Sequence, residues 1–404
     1  MGGVPTARRK LLASNCDVWY ALAAMKIVAD RNIPFVRECF SSIGEVEVVA
    51  GRGVTAELVG GADVLLVRSV TKVNEELLAG SKVQFVATAT IGTDHVDAGY
   101  LAKRGIGFTS APGSNANSVA EYIVAALLEV AHKDDMTLAG KSIGVVGVGN
   151  VGSRVAKKCA ALGMEVLLND PPLRALTADA KYLPIEELYG CDFLTLHTPL
   201  RFEGMDKTYH LVDAGFFESL KEGCVFLNTS RGAVAETAAI KGAVESGKVR
   251  AVVLDVWENE PEIDVGLLGM IDIGTPHIAG YSYDGKVAGM IMIYEAVCEY
   301  FGLEKRFTVD SFLPEAAVPE LRVEAGADEQ EAVRRAVEKI YDIKADDARM
   351  REILECEAQQ RGRFFSDLRK NYPVRREFQN TKVRGGSEGV RRILEGIGFE
   401  AANG

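Results

Sequence analysis

Residues 143–152 read Ile-Gly-Val-Val-Gly-Val-Gly-Asn-Val-Gly, an apolar run that leads directly into a glycine-rich turn. Apolar residues then recur at helical spacing, at Val151, Val155, Cys159 and Leu162. The pattern therefore predicts a strand, a tight turn and an amphipathic helix in succession. Gly147, Gly149 and Gly152 match G-x-G-x-x-G, in which the first glycine permits the turn, the second lets a ligand approach the backbone, and the third packs the helix on the strand.

The glycine-rich turn is predicted to bind a dinucleotide, because the following helix presents free N–H groups and a partial positive charge to phosphates. Asp170 ends the next predicted strand, about 20 residues further on, where a carboxylate binds the ribose hydroxyls. That carboxylate would repel a 2′-phosphate, which favours NAD over NADP, although Arg174 leaves NADP open. The predicted cofactor contacts here are Gly147, Gly149, Asn150, Val151, Gly152, Asp170 and Thr198.

The whole chain has the composition of a globular protein with more than one domain. Its 404 residues predict two or three domains, and its 48% apolar and 25% charged residues are ordinary values. The net charge of −11 argues against nucleic-acid and membrane-surface partners, and no apolar stretch approaches the roughly 20 residues of a membrane helix. The seven cysteines form no C-x-x-C pair, which predicts free thiols in a reducing cytoplasm. We expect no metal site.

The first 24 residues differ from the rest. A basic stretch and Leu11-Leu12-Ala13 suggest a signal peptide, but Asn15, Cys16 and Asp17 interrupt the apolar core that such a peptide needs. Met25 opens the first predicted strand. We therefore expect residues 1–24 to be a non-native or disordered extension ahead of the true start.

Short apolar runs alternate with helical stretches from residue 25 onward. The first set of predicted strands covers 27–29, 46–50, 64–67, 85–89 and 107–109, and the second covers 142–146, 165–168, 193–196, 224–228, 251–254 and 271–274. Repeated strand–helix units predict the α/β class with doubly wound parallel sheets. We expect a flavodoxin-like substrate domain followed by a Rossmann NAD domain.

Two long apolar helices, predicted at 117–131 and 285–301, set the domain boundaries. The second would return the chain to the first domain, so the substrate-binding domain is expected at 25–116 and 287–307, with the NAD-binding domain at 117–286. Residues 308–404, here named the C-terminal region, are richer in charge. A strand at 320–323 and helices at 328–340 and 387–398 predict a small α+β domain there.

Arg231, Glu260 and His277 each follow a predicted strand of the second set. Because ligands bind outside the carboxyl ends of parallel strands, the three side chains are expected to converge. An imidazole is suited to proton transfer at neutral pH, and a carboxylate can orient it. The arginine fork can hold a carboxylate and polarise an adjacent carbonyl. Beside a dinucleotide, these groups predict oxidation of a 2-hydroxy acid.

Other polar residues offer alternatives to this assignment. Glu258 lies two residues before Glu260 and competes with it as the partner of the histidine. Asp94 is expected to cap a helix that begins near His95. The remaining histidines are expected to be structural, solvated or bystanders, namely His95, His132, His197 and His210.

Several motifs resemble the D-isomer-specific 2-hydroxyacid dehydrogenases, in that family's usual order: GVGNVG with Asp170, NTSRG at 228–232, LDVWENEP at 254–261 and TPHIAG at 275–280. The resemblance spans roughly residues 85–300. It implies that Arg231 anchors the substrate, Glu260 is the acid partner and His277 the acid/base. It also implies that Asp255 contacts the nicotinamide carboxamide.

Further stretches resemble the branch of that family that oxidises 4-phospho-D-erythronate in vitamin B6 biosynthesis: 25–27, 68–74, 87–90, 92–95, 169–172 and 279–281. The likeness runs from 25 to about 400, is looser near the end, and implies a homodimer formed through the C-terminal region. It implies that Ser69, Thr90 and Tyr281 bind substrate and that Gly280 contacts the cofactor.

Charged residues near these positions carry further expectations. Arg68 and Lys72 would add positive charge for a phosphate beside Ser69, although Arg68 could instead pair with a carboxylate. Arg375 and Arg376 could reach the site of a neighbouring subunit. The alternative substrates are 3-phosphoglycerate and glycerate, and the alternative class is a non-catalytic NAD(H)-sensing scaffold.

Overall fold

The computed structural model describes residues 25–324 and 328–402. The predicted extension at 1–24 lies outside the described residues. The chain forms two compact units, the first running to Ser114 with Lys286–Leu313 added, and the second combining Asn115–Gly285 with the chain from Pro314 onward. The C-terminal region therefore belongs almost entirely to the second unit, and its assignment as a separate domain stays a prediction.

The first unit contains a parallel sheet in the flavodoxin-like order β2-β1-β3-β4-β5. Its strands are β1 (Lys26–Asp30), β2 (Glu45–Val49), β3 (Val64–Val67), β4 (Phe85–Thr88) and β5 (Gly107–Thr109). Each predicted strand is present with ends within one residue of the prediction. The runs were recognisable because strands covered on both faces are apolar throughout, and every residue of β3 is buried.

The helices of this unit are short: α1 (Val36–Phe40), α2 (Ala56–Val59), α3 (Glu75–Leu78) and α4 (Ala98–Arg104). The predicted helix start near His95 is wrong, because the chain becomes helical only after Asp97. The Asp97 carboxylate accepts the backbone N–H of Tyr100 at 2.8 Å and so caps α4 in place of Asp94. His95 lies in the turn before this cap.

The second unit contains a larger parallel sheet in the order β11-β10-β9-β8-β6-β7. Its strands are β6 (Ser142–Val146), β7 (Glu165–Asn169), β8 (Phe193–Leu196), β9 (Cys224–Asn228), β10 (Val249–Leu254) and β11 (Ile273–Gly274). An isolated bridge from Leu168 to Tyr182 marks the edge beyond β7. The chain leaves β6 toward β7 on one side and later returns to β8 on the other. The glycine-rich turn follows β6, so it lies at the switch point where doubly wound sheets bind ligands.

The helices of this sheet are α5 (Ala116–Lys133), α6 (Asn150–Ala161), α7 (Pro171–Thr177), α8 (Ala214–Ser219), α9 (Thr237–Glu245) and α10 (Val265–Leu268). Helix α5 is buried over most of its surface, as its sequence predicts. Helix α11 (Tyr283–Phe301) begins in the second unit and ends in the first.

The C-terminal region forms a small parallel sheet in the order β12-β13-β14 with helices around it. The elements are β12 (Glu320–Val323), α12 (Glu329–Ile340), α13 (Ile343–Arg351), α14 (Ala358–Lys370), β13 (Lys382–Gly385), α15 (Glu388–Ile397) and β14 (Glu400–Ala401). Helix α12 packs on α5 and α15 packs on α6. Helices α13 and α14 and strands β13 and β14 were not predicted from the sequence.

Two chain-wide expectations can be checked against the described residues. Among residues 25–324 and 328–402, no helix combines the length and apolarity that a membrane span requires. The six cysteines in this part of the chain are free thiols, all buried except the partly exposed Cys356. Burial raises the pKa of Cys159 to about 12.

Candidate active site

The glycine-rich turn has the shape of a dinucleotide site. Gly147 has a φ of 86°, and a Cβ there would lie 2.8 Å from the carbonyl oxygen of His197. A Cβ on Gly152 would lie 1.9 Å from the Gly147 oxygen, so the helix packs closely only because this residue is glycine. A Cβ on Gly149 would meet no protein atom within 4 Å. The backbone at Gly149 is therefore open to a ligand.

Two polar side chains beside the turn complete this site. The Asp170 carboxylate accepts the backbone N–H of Val148 at 2.8 Å and that of Leu173 at 2.9 Å, which places it directly against the turn. The Thr198 hydroxyl is buried, and none of the described protein atoms forms a hydrogen bond with it. A buried polar atom without a protein partner is expected where a bound ligand supplies one. The residues present fit NAD.

Arg231 lies in the turn after β9, and Asn228 shapes that turn. The Asn228 Oδ1 accepts the backbone N–H of Ser230 at 3.0 Å and its hydroxyl at 2.8 Å, while Nδ2 donates to the Arg231 carbonyl at 3.0 Å. A Cβ on Gly232 would lie 1.9 Å from the carbonyl carbon of Trp257. The Arg231 turn therefore packs against the loop that carries Glu260.

Glu260 and His277 form a hydrogen-bonded pair. The Nδ1–H of His277 donates to Glu260 Oε2 at 2.8 Å, and the Trp257 backbone N–H donates to Oε1 at 2.9 Å. Burial raises the pKa of Glu260, but His277 and the Trp257 N–H outweigh burial and hold that pKa below its ordinary value. Because Nδ1 donates to the carboxylate, Nε2 is the nitrogen that can take a substrate proton.

The loop after β11 holds His277 in a left-handed backbone conformation with a φ of 58°. This conformation costs free energy in a non-glycine residue, so the surroundings must stabilise it. The buried Asp255 does so. Its carboxylate accepts the Thr275 hydroxyl at 2.6 Å and the backbone N–H groups of Ile278 and Ala279 at 2.7 and 2.9 Å. Asp255 thus positions His277, whereas its contact with the cofactor stays a prediction.

Glu258, the competing carboxylate, has other partners. Its Oε1 accepts the His210 Nε2–H at 2.8 Å, and its Oε2 accepts the Thr237 backbone N–H at 2.8 Å. His210 therefore has a structural contact, as expected. The geometry assigns the histidine partner to Glu260.

Ser69 and Thr90 follow β3 and β4 of the first unit. Ser69 is exposed, and the Thr90 hydroxyl belongs to a short chain of hydrogen bonds. His95 Nε2 lies 3.0 Å from the Thr88 hydroxyl, which lies 2.7 Å from the Thr90 hydroxyl, and Thr90 donates to the Gly92 carbonyl at 3.1 Å. Burial lowers the pKa of His95. His95, expected to be a bystander, therefore orients the hydroxyls. The spacing of Thr88 and Thr90 on one strand face was the available signal.

Arg68 and Lys72 lie close in sequence to Ser69. Within residues 25–324 and 328–402, no carboxylate forms an ion pair with Arg68. This absence disfavours the alternative in which Arg68 serves only to neutralise a neighbouring carboxylate.

Tyr281 contacts the C-terminal region of its own unit. Its ring meets the ring of Tyr372 edge-on at 5.8 Å, and the Arg369 guanidinium carbon lies 5.8 Å from the ring centroid. Arg375 is buried and donates to the Ala279 carbonyl at 2.7 Å. Arg369 and Tyr372 were not predicted as site residues, since nothing local in the sequence marks them.

The expectation that Arg375 and Arg376 reach a neighbouring subunit is wrong. Arg376 pairs with Asp284 at 2.9 Å with both side chains less than 10% exposed, and Arg375 is engaged with the backbone of its own chain. Both guanidinium groups are bound within their own chain.

Comparison with known proteins adds independent evidence. The NAD-binding domain model of the D-isomer specific 2-hydroxyacid dehydrogenases matches residues 124–279, and a model described as a domain of unknown function (DUF3410) matches 312–398. An erythronate-4-phosphate dehydrogenase of Salinibacter ruber is 46% identical over 392 residues, covering 93% of this chain and 99% of its own. That of Pectobacterium carotovorum is 44% identical, with 94% and 99% covered.

Solved structures share the fold of the two α/β units. A Thermus thermophilus protein superposes with a TM-score of 0.60 at 26% identity, covering 70% of this chain and 98% of its own. The D-lactate dehydrogenase of Aquifex aeolicus, solved with NAD and lactic acid, has a TM-score of 0.56 at 25% identity, with 69% and 95% covered. Given the nearly full-length relatives and the matching site geometry, the chain belongs to the erythronate-4-phosphate dehydrogenase family of the D-isomer specific 2-hydroxyacid dehydrogenases.

Proposed function

We propose that the protein oxidises 4-phospho-D-erythronate with NAD, giving (R)-3-hydroxy-2-oxo-4-phosphooxybutanoate for vitamin B6 biosynthesis. The observation that carries the chemistry is the 2.8 Å hydrogen bond between His277 and Glu260, whose loop packs against the turn of Arg231. The substrate is supported by the nearly full-length relatives that bear this activity in their names.

The side chains divide the reaction between them. Arg231 holds the substrate carboxylate through its planar fork and draws electron density from the adjacent C2–O bond. His277 Nε2 takes the proton of the C2 hydroxyl, and Glu260 stabilises the imidazolium that forms. NAD, when bound, supplies the acceptor for the hydride that leaves C2. The His277 side chain is 33% exposed, so its proton can pass to water after the 2-oxo acid forms.

The cofactor contacts form a second part of the proposal. They are Gly147, Gly149, Asn150, Val151, Gly152, Asp170, Thr198, Asp255 and Gly280. The open backbone at Gly149 and the unsatisfied hydroxyl of Thr198 support the turn as the phosphate site. Gly280 also has a packing reason to be glycine, since a Cβ there would lie 2.0 Å from the side-chain nitrogen Nδ2 of Asn115.

The substrate contacts Ser69, Thr90 and Tyr281 are proposed from the family resemblance. Arg68 and Lys72 support a phosphorylated substrate, because a phosphate is held most strongly by charge-assisted hydrogen bonds. The ordered Thr90 hydroxyl is consistent with a fixed polar contact.

We also propose a division of the chain into domains and a cellular compartment. Residues 25–116 and 287–307 would bind substrate, 117–286 would bind NAD, and 308–404 would mediate a homodimer. The free thiols of the described chain support a reducing compartment such as the cytoplasm.

The test is a substrate panel with purified protein and NAD, followed by NADH absorbance. The panel contains 4-phospho-D-erythronate, unphosphorylated D-erythronate, 3-phosphoglycerate and glycerate. We expect 4-phospho-D-erythronate to exceed D-erythronate in kcat/KM by roughly 100-fold or more, since each charged contact to a phosphate contributes about 1.5–3 kcal/mol. Preference for another acid would refute the substrate. NADH binding without turnover of any acid would favour the non-catalytic scaffold.

A further inference from the structure

Residues 279–284, the segment directly after the His277 loop, are held by residues 369–377 of the C-terminal region, here named the bracket. Arg375 donates to the Ala279 carbonyl at 2.7 Å, and the Arg375 carbonyl accepts the backbone N–H of Tyr283 at 2.7 Å. The Ser282 hydroxyl donates to the Glu377 carboxylate at 2.8 Å. The side chains of Ser282, Arg375 and Glu377 are buried. If these hydrogen bonds broke, water could not easily replace the lost partners.

Within the segment, the Tyr281 side chain lies against two residues of the bracket. Tyr372 packs edge-to-face on its ring and is itself anchored by a hydrogen bond from its hydroxyl to Asp346 at 2.7 Å. Arg369, in the last turn of α14, places its guanidinium carbon 5.8 Å from the ring centroid, within the range of a cation–π contact. The orientation of Tyr281 therefore depends on the C-terminal region.

The position of Arg369 is costly unless something offsets it. Its Nε is buried, and no hydrogen-bond partner for that atom exists among the described residues. Burial lowers the pKa of Arg369, but Tyr281 and Glu260 outweigh burial and raise it. Arg369 also lowers the pKa of Glu260, although its effect is smaller than those of His277 and the Trp257 N–H. The positive charge of Arg369 thus favours the ionised form of Glu260.

We propose that the C-terminal region completes the active site of its own chain, with Arg369 as a positioning residue for Tyr281. Every group named lies in one chain. The inference rests on the proposed function, because Tyr281 matters only as a substrate contact of that site.

The test compares Arg369→Met, Arg369→Lys, Tyr281→Phe and the double variant Arg369→Met with Tyr281→Phe in the full chain. We expect Arg369→Met to lower kcat/KM for 4-phospho-D-erythronate by roughly 10- to 100-fold, the size of a lost buried charged contact, with the NAD dissociation constant unchanged. Lysine should restore part of this loss because it keeps the charge. The double variant should lose less than the product of the two single losses, since contacting residues are coupled.

Arg334→Met is the matched control. Arg334 is another buried arginine of the C-terminal region. It pairs with Glu129, Glu331 and Glu338, and none of these three partners belongs to the bracket. Its loss should lower the melting temperature and leave kcat/KM at the wild-type value. Oligomeric state is measured for each variant by light scattering.

The outcomes separate the inference from the function on which it rests. Wild-type kinetics in Arg369→Met, independent losses in the double variant, or an equal loss in Arg334→Met would each overturn the positioning role. If the wild type oxidises a different 2-hydroxy acid, the substrate proposal fails, and the same ratios measured with that acid decide the role of Arg369. If the wild type oxidises none, both fall.

Discussion

Glu260→Gln removes the negative charge that faces His277 while keeping the length of the side chain. The two groups are 2.8 Å apart, and at an effective dielectric constant of about 20 a full charge pair at that distance is worth about 6 kcal/mol. The side chains are 18% and 33% exposed, so solvent screening should reduce the stabilisation of the imidazolium to about half, or roughly 3 kcal/mol. At about 1.4 kcal/mol per tenfold change, kcat should fall on the order of 100-fold.

The assay is steady-state oxidation of 4-phospho-D-erythronate at saturating NAD, with Glu258→Gln as the control. Glu258 lies two residues earlier and pairs with His210 and the Thr237 N–H. Its replacement should therefore change thermal stability more than turnover. Circular dichroism and NADH binding establish that both variants are folded.

Two results would refute the assignment of Glu260. If Glu260→Gln turns over at a rate close to the wild type, the carboxylate does not stabilise a charged imidazole during the reaction. If Glu258→Gln is slowed as much as Glu260→Gln, the loss reflects a disturbed loop and not the charge at His277.

Further variants test the other parts of the site. His277→Ala should lower kcat by roughly 100- to 10,000-fold, the range for a general acid/base, with NADH affinity by fluorescence unchanged; near-normal turnover would exclude the role. Asp170→Asn should lower the ratio of kcat/KM for NAD to that for NADP by about tenfold or more, because repulsion of the 2′-phosphate is lost; an unchanged ratio would remove Asp170 from ribose recognition. Burial lowers the pKa of His197 to about 3. The unfolded chain takes up this proton below about pH 6.5 and the folded chain does not. The free energy of unfolding therefore decreases as the pH is lowered, by up to about 1.4 kcal/mol per pH unit. His197→Gln should flatten that dependence between pH 6.5 and 5 in urea unfolding, and parallel curves would contradict it.

Much of the fold could be predicted because its strands are buried on both faces. Such strands are continuous apolar runs, and β6, β8 and β9 have the ends that the sequence predicts. The same logic located the chemical groups, because Arg231, Glu260 and His277 follow successive parallel strands. Parallel strands end at one edge of the sheet, so a one-dimensional pattern carries three-dimensional information there.

The C-terminal helices could not be found in this way. Helix α13 reads IKADDARMR and α14 reads AQQRGRFFSDLRK, so charged residues dominate and few apolar positions mark a face. Tertiary packing decides their structure: Met350 of α13 and Phe365 of α14 are fully buried. Arg369 and Tyr372 contact Tyr281 from 88 and 91 positions away along the chain, and no local spacing encodes such a contact.

His277 and Tyr281 are held by different contacts, so one loop can carry both of the roles proposed for them, in reaction and in substrate recognition. The left-handed backbone at His277 costs about 1–3 kcal/mol. Each hydrogen bond to a charged group contributes about 1.5–3 kcal/mol, and the Asp255 carboxylate accepts three. The hydrogen bonds of Asp255 therefore help to offset the cost of the left-handed backbone at His277, the residue that we propose moves the proton. The contacts of Arg369, Tyr372 and Arg375 fall beyond this point in the chain, at Ala279 and Tyr281. The contacts of the bracket thus act on the segment after His277, and above all on Tyr281, the residue that we propose meets the substrate.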